Sequence, residues 1–144
     1  MSGVNLIHIG ESIMAIDAPM LSSNSEGAEG WIETFNHNFV HYIGQNDPRY
    51  FDIEDIAHSL SQLCRFNGHC IGTYTVAQHS CIVAEYARDE HKLIALMHDA
   101  AEAYIGDIPR PLKYLIPDIK KVENWLMTQI FASITHVYVL THTI

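Results

Sequence analysis

Between Trp31 and Ile134 the apolar positions fall into short runs whose spacing predicts one ribbon followed by helices. Trp31, Phe35, Phe39 and Tyr42 lie in two short aromatic and β-branched runs on either side of Asn36–Asn38. That pattern predicts a small half-buried hairpin carrying His37 and His41. Ile53, Ile56, Ala57, Leu60, Leu63 and Cys64 recur at helical spacing behind Asp52, a natural N-cap, and Asn67-Gly68 ends that helix just after Arg65 and Phe66. Thr75-Val76-Ala77-Gln78 has the form of a capping box, so a helix with Val76, Val83, Ala84 and Ala87 inward starts almost at His79. Pro117 opens a further helix whose stripe is Ile119, Val122, Leu126 and Ile130, with Trp125 beside it. The final residues, 135–144, read as a β-like or irregular tail.

The segment from Lys92 to Asp107 differs from these. Leu93, Ile94, Ala95, Leu96, Met97, Ala100, Ala101, Ala103 and Tyr104 cover every face of the helix it would form, which predicts a helix buried on all sides. Into it the chain places His98, Asp99 and Glu102, close enough on neighbouring turns to share one cleft. An unpaired carboxylate in such a setting costs several kcal/mol, roughly, or neutralises. A cation is therefore expected beside Asp99, and a divalent metal suits imidazole and carboxylate together. Gly106, Pro109 and Pro111 end the segment in a stiff loop, where Asp107 is available to cap the short helix that follows.

Composition narrows the class. A 144-residue chain that is 48% hydrophobic is one globular domain with a modest core. A formal charge of −9 with only 8 Lys and Arg argues against a large nucleic-acid interface, while a few placed cations still suffice for a small phosphorylated ligand. Cys64, Cys70 and Cys81 form no CxxC pair and leave an odd thiol, which reads as three packing residues in a reducing, cytoplasmic compartment. Residues 1–20 carry the apolar patches Val4–Ile9 and Ile13–Ala18 but no basic start or long apolar run, so neither a signal peptide nor a membrane span is expected. Leu21–Gly30, LSSNSEGAEG, reads as a flexible connector, making 1–30 an N-terminal extension.

The string HDAAEAYIGDIPRPLK from His98 to Lys113, preceded by CRFNGH from Cys64 and TVAQHS from Thr75, resembles the HD-domain metal-dependent phosphohydrolases. The resemblance covers roughly residues 31–125 and is closest to the branch of bacterial 5′-deoxynucleotidases and phage enzymes that strip triphosphate from dATP. It implies an all-α helical bundle with a small N-terminal β-hairpin, here over residues 31–134 and lacking the family's last helix. It implies a divalent cofactor (manganese, cobalt, zinc or iron) held by His79, His98 and Asp99, and hydrolysis of a nucleoside 5′-phosphate. Glu102 would move protons, and Asp107 would lie near the sugar or orient water. Arg65 and Lys113 would contact phosphate, although each could instead be an ordinary surface charge. Phe66 stands where relatives carry tryptophan against the substrate. The relatives' fourth ligand, an Asp in a later helix, has no counterpart, since no Asp or Glu follows Glu123; His136 and His142 are the conceivable substitutes. A nucleotide is thus the expected partner, with self-association also implied, and a non-catalytic nucleotide- or partner-binding domain is the alternative.

Overall fold

In a computed structural model of the chain, residues 5–9, 12–16, 30–42 and 46–142 are described, the first two runs and 136–142 as backbone. The connector expected over Leu21–Gly30 lies, except for Gly30, outside them. The molecule is mostly helical, with small antiparallel hairpins preceding six α-helices among the described residues. Strands β1 (Asn5–Ile9) and β2 (Ser12–Ile16) pair within the two apolar patches of the first twenty residues. Strands β3 (Trp31–Glu33) and β4 (Phe39–His41) form the expected ribbon, in register Trp31↔His41 and Ile32↔Val40.

Of the four aromatic residues of that ribbon only Tyr42 faces inward. Val40 is fully buried and Ile32 packs against the core. Trp31 and Phe39 meet edge-to-face at 5.0 Å on the outer side, because strand alternation gives odd and even positions to opposite faces. Its tip is tied down by a residue of the first helix, α1 (Ile53–Gln62). Asp55 is buried and accepts from the Thr34 hydroxyl, the Asn36 backbone N–H (2.7 Å) and Asn38 Nδ2 (3.1 Å). The loop thereby satisfies a buried carboxylate through its own donors, and His37 adopts a positive φ of 60° to let it do so.

Asp52 caps α1 as expected, accepting from the Glu54 N–H at 2.9 Å. The helix stops at Gln62, short of Asn67-Gly68. Leu63 and Cys64 turn extended, and Arg65–Gly68 forms a separate 3-10 turn in which Phe66 and Asn67 are left-handed (φ 55° and 51°). Backbone bonds Arg65 N to Tyr74 O (2.8 Å) and Val76 N to Leu63 O (2.9 Å) close the intervening loop. They set Arg65 beside the start of α2 (Val76–Tyr86), whose Thr75–Gln78 capping box is complete.

The Lys92–Asp107 segment departs from a single buried helix. Helix α3 (Lys92–Leu96) carries Leu93 and Ile94 exposed at 58% and 61%, and burial begins only at Met97. From Met97 the backbone tightens: Ala100, Glu102, Ala103 and Tyr104 each donate to the carbonyl three residues back before α4 (Glu102–Ile105) closes. Two side chains account for the distortion. His98 Nδ1 donates to Ala95 O (2.7 Å), the carbonyl that Asp99 N–H would take in a regular helix, and the Ala101 N–H turns to Met127 Sδ at 3.3 Å. The carbonyls left at the end of α4 accept from outside it, Tyr104 O from the Tyr42 hydroxyl (2.6 Å) and Ala103 O from Ser59 Oγ (2.9 Å). Helix α4 is thus bolted to the ribbon and to α1.

Helix α5 (Arg110–Leu115) follows the proline loop, and α6 (Pro117–His142) runs for 26 residues. Leu126 and Ile130 of the expected stripe, and Trp125 beside it, enter the core alongside Ile56, Leu60, Val76 and Tyr104. The irregular tail expected from residue 135 is helix as far as His142, because no Gly or Pro interrupts α6 after Pro117 and β-branched residues disfavour helix only weakly. Cys64 and Cys81 are exposed and Cys70 is partly so, all three as free thiols, which corrects their reading as packing residues. No helix among the described residues is long and apolar enough to cross a membrane.

Candidate metal centre and anion cavity

The loop closure at Arg65, the N-terminus of α2 and the tightened turn before α4 converge on one cavity of about 580 Å³, a size ordinary for a small-molecule site. Arg65, His79, His98, Asp99, Glu102, Asp107 and Lys113 all line it. His79 and His98 face each other with ring centroids 5.1 Å apart. Their Nε2 atoms stand 3.6 and 3.0 Å from the same carboxylate oxygen, Asp99 Oδ2. One ligand atom from each of the three residues lies within 4.8 Å of the others. Donors about 2.1 Å from a tetrahedral ion are roughly 3.4 Å apart, so the set fits a divalent metal.

Hydrogen bonding strengthens that fit. A carbonyl can only accept, so His98 Nδ1 carries a proton toward Ala95 O. In the neutral ring Nε2 is then a bare lone pair aimed at a carboxylate oxygen, an arrangement that requires a cation between them, either a proton or a metal. With a proton there, the hydrogen bond to Asp99 raises the His98 pKa above its ordinary value. Burial, and then the Arg65 charge, lower that of His79 and favour the neutral, ligating ring. Tyr74, whose hydroxyl is 3.3 Å from His79 Nδ1, orients the ring from behind. For Asp99, burial pushes the pKa upward but is outweighed by His98, Arg65 and His79, leaving it below the ordinary range.

Arg65 is the second organising group. Its Nη1 lies 3.3 Å from Asp99, 3.4 Å from Asp107 and 3.8 Å from Glu102, so it shares Asp99 with the two histidines. Its Nε is buried and has no hydrogen-bond partner among the described residues. Asp107 therefore points into the cavity and does not cap α5, whose N-cap is Pro109. Glu102 is 3% exposed, and burial, with Asp99 and Asp107 nearby, pushes its carboxyl up to about 7 despite Lys113 and Arg65. Its Oε2 makes no hydrogen bond among the described residues. At neutral pH the group is poised to hold or release a proton.

Phe66 stands apart. It is 57% exposed and borders a neighbouring groove with Arg65, Asp107, Pro109, Arg110 and Pro111, not the main cavity. The side chains of His136 and His142 lie outside the described residues. Tyr74, Arg110, Lys120 and Glu123 belong to the site without having been singled out for it. Glu123 gave no signal of it, since Lys120, Lys121 and Asn124 surround it in the sequence as they would an ordinary surface acid. Together Arg65, Arg110, Lys113 and Lys120 make half of the chain's 8 Lys and Arg, gathered at one cavity beside four carboxyl groups, Asp99, Glu102, Asp107 and Glu123, so that a bound divalent ion would turn its balance positive. Such a concentration suits a small anion.

No family model matches the chain. Over 96 residues it is 46% identical to the uncharacterized protein YfdR of Escherichia coli (strain K12), a match covering 65% of this chain and 52% of that one. Over 78 residues it is 42% identical to an uncharacterized protein of Rhodobacter capsulatus, covering 48% of this chain and 40% of the other. The chain spans about half the length of the curated relatives it matches.

Proposed function

We propose that the chain is a metal-dependent phosphohydrolase that cleaves the 5′-phosphate ester of a (deoxy)nucleotide, releasing nucleoside and phosphate or polyphosphate. One observation carries the reading: the ligand atoms of His79, His98 and Asp99 cluster in a cavity that also holds cationic Arg65 and Lys113 and a carboxyl with a pKa of about 7. The nucleotide as substrate follows from the likeness of HDAAEAYIGDIPRPLK, TVAQHS and CRFNGH to the HD phosphohydrolases.

His79, His98 and Asp99 would hold a divalent ion, which would supply Lewis-acid stabilisation of charge building on the phosphoryl group. The remaining work falls to the chain itself. Arg65 and Lys113, each under one-fifth exposed, offer donors to phosphate oxygens. Glu102, between them, takes a proton from the attacking water or returns one to the leaving 5′-oxygen. Asp107 pairs with Arg65 Nη1 at 3.4 Å and faces the bound sugar.

A nucleotide-binding domain without turnover is the second reading, favoured by Arg65, whose guanidinium already sits on Asp99 where an ion would compete for it. One experiment separates the two. The chelated chain is reloaded with manganese, cobalt or zinc and incubated with each deoxynucleoside mono- and triphosphate, and free nucleoside is measured by chromatography. Release that needs the metal supports hydrolysis; a metal-loaded chain that binds nucleotides yet frees no nucleoside overturns it.

A further inference from the structure

Lys113 is held differently from the other cations of the cavity. Its ammonium bridges two carboxylates on different elements, Glu123 Oε2 of α6 at 3.1 Å and Glu102 Oε1 of α4 at 3.5 Å. Glu123 in turn takes Lys120 on its other oxygen at 3.5 Å, so one carboxylate gathers two ammonium groups onto one wall of the cavity. Lys113 and Glu123 are 18% and 12% exposed, and they meet as an ion pair: Glu123 Oε2 is buried and has no hydrogen-bond partner among the described residues, so the Lys113 charge is what offsets it. Glu102, the other partner, lies farther off, at 3.5 Å against 3.1 Å, and is the weaker anchor. A lysine on a flexible four-carbon stem loses rotamer entropy when it is fixed.

We propose that Glu123 is a positioning residue: it holds the Lys113 ammonium in the cavity in advance, so that an arriving phosphate meets a placed donor. Without it, Lys113 relaxes toward Glu102 or toward solvent, and the entropy is lost at the moment of binding. The inference rests on the phosphoryl reading of the cavity, and it has a counter-intuitive sign. Glu123 is negative and lines an anion site, so if it acted by charge alone its removal would tighten phosphate binding. If it acts by placing Lys113, its removal weakens binding.

Calorimetric titration of inorganic phosphate into the chelated full chain reads that sign directly. Glu123→Gln is expected to weaken phosphate binding roughly fivefold or more, the scale of one ionic hydrogen bond lost. Glu123→Asp, which keeps the charge on a shorter stem, falls between the two. In a Lys113→Met background Glu123→Gln no longer weakens binding, since nothing remains to be placed. Thermal melts check that each variant is folded at the titration temperature. Unchanged or tighter binding by Glu123→Gln, or equal weakening with and without Lys113, overturns the positioning role alone. A wild-type chain that binds no phosphate, either chelated or loaded with manganese, overturns it together with the phosphohydrolase reading.

Discussion

Replacing Glu102 by Gln tests the electrostatics of the cavity without substrate or metal. Glu102 has an ordinary pKa of 4.5 and is pushed to about 7 in the fold, chiefly by burial and by Asp99 and Asp107. Because the folded chain holds this proton more tightly than the unfolded one, the stability it contributes is complete below pH 4.5. It is lost as the pH rises through 7. At about 1.4 kcal/mol per pH unit, the full gap amounts to roughly 3 kcal/mol. Gln mimics the protonated form at every pH. The variant is therefore expected to match wild type to within about 1 kcal/mol near pH 5 and to exceed it by roughly 3 kcal/mol near pH 8. Urea unfolding of the chelated proteins across that range measures the difference. Manganese added to wild type narrows the gap, because a nearby cation favours the ionised carboxyl. A stability difference that does not grow with pH, or a variant weaker at pH 8, would refute the assignment of Glu102 as a buried, charge-crowded acid. The same substitution abolishes nucleoside release under the proposed function, so stability gained accompanies activity lost.

Asp99→Ala is expected to remove divalent-ion binding, read as metal content after dialysis against manganese or zinc; a variant that retains a full equivalent speaks against the His79–His98–Asp99 centre. Asp55→Ala strands the donors of Thr34, Asn36 and Asn38 in the ribbon tip and should cost roughly 3 kcal/mol in urea unfolding, with metal content unchanged in the folded fraction. Leu126→Ala, at a fully buried position of α6, should cost about 2–5 kcal/mol, and a loss under about 1 kcal/mol would mean that α6 does not pack as described.

The features legible in the sequence depend on residues two to four positions apart. Asp52 reaches the Glu54 N–H, and Thr75 and Gln78 exchange bonds, whatever the rest of the chain does. Leu126 and Ile130 share a face of any helix that contains them. The anomaly of His98, Asp99 and Glu102 among alanines and leucines was likewise visible, since the cost of burying charge is set by composition before geometry.

Other features waited for partners distant in the chain. That the Lys92–Asp107 segment does not run on as one helix follows, beyond the local bond of His98, from Met127, which takes the N–H of Ala101 26 residues before it, and the carbonyl left at Tyr104 is met by Tyr42, 62 residues away. Asp55 is buried because a ribbon tip about twenty residues earlier closes over it, and Glu123 joins the cavity because α6 folds back against α5. Nothing in the neighbours of Asp55 or Glu123 distinguishes them from surface acids. Short-range spacing alone thus determined where the helices begin and which side chains were out of place among apolar neighbours. Which carboxylate meets which cation was decided only by tertiary packing, because the attraction between charges depends on distance through space and not along the chain.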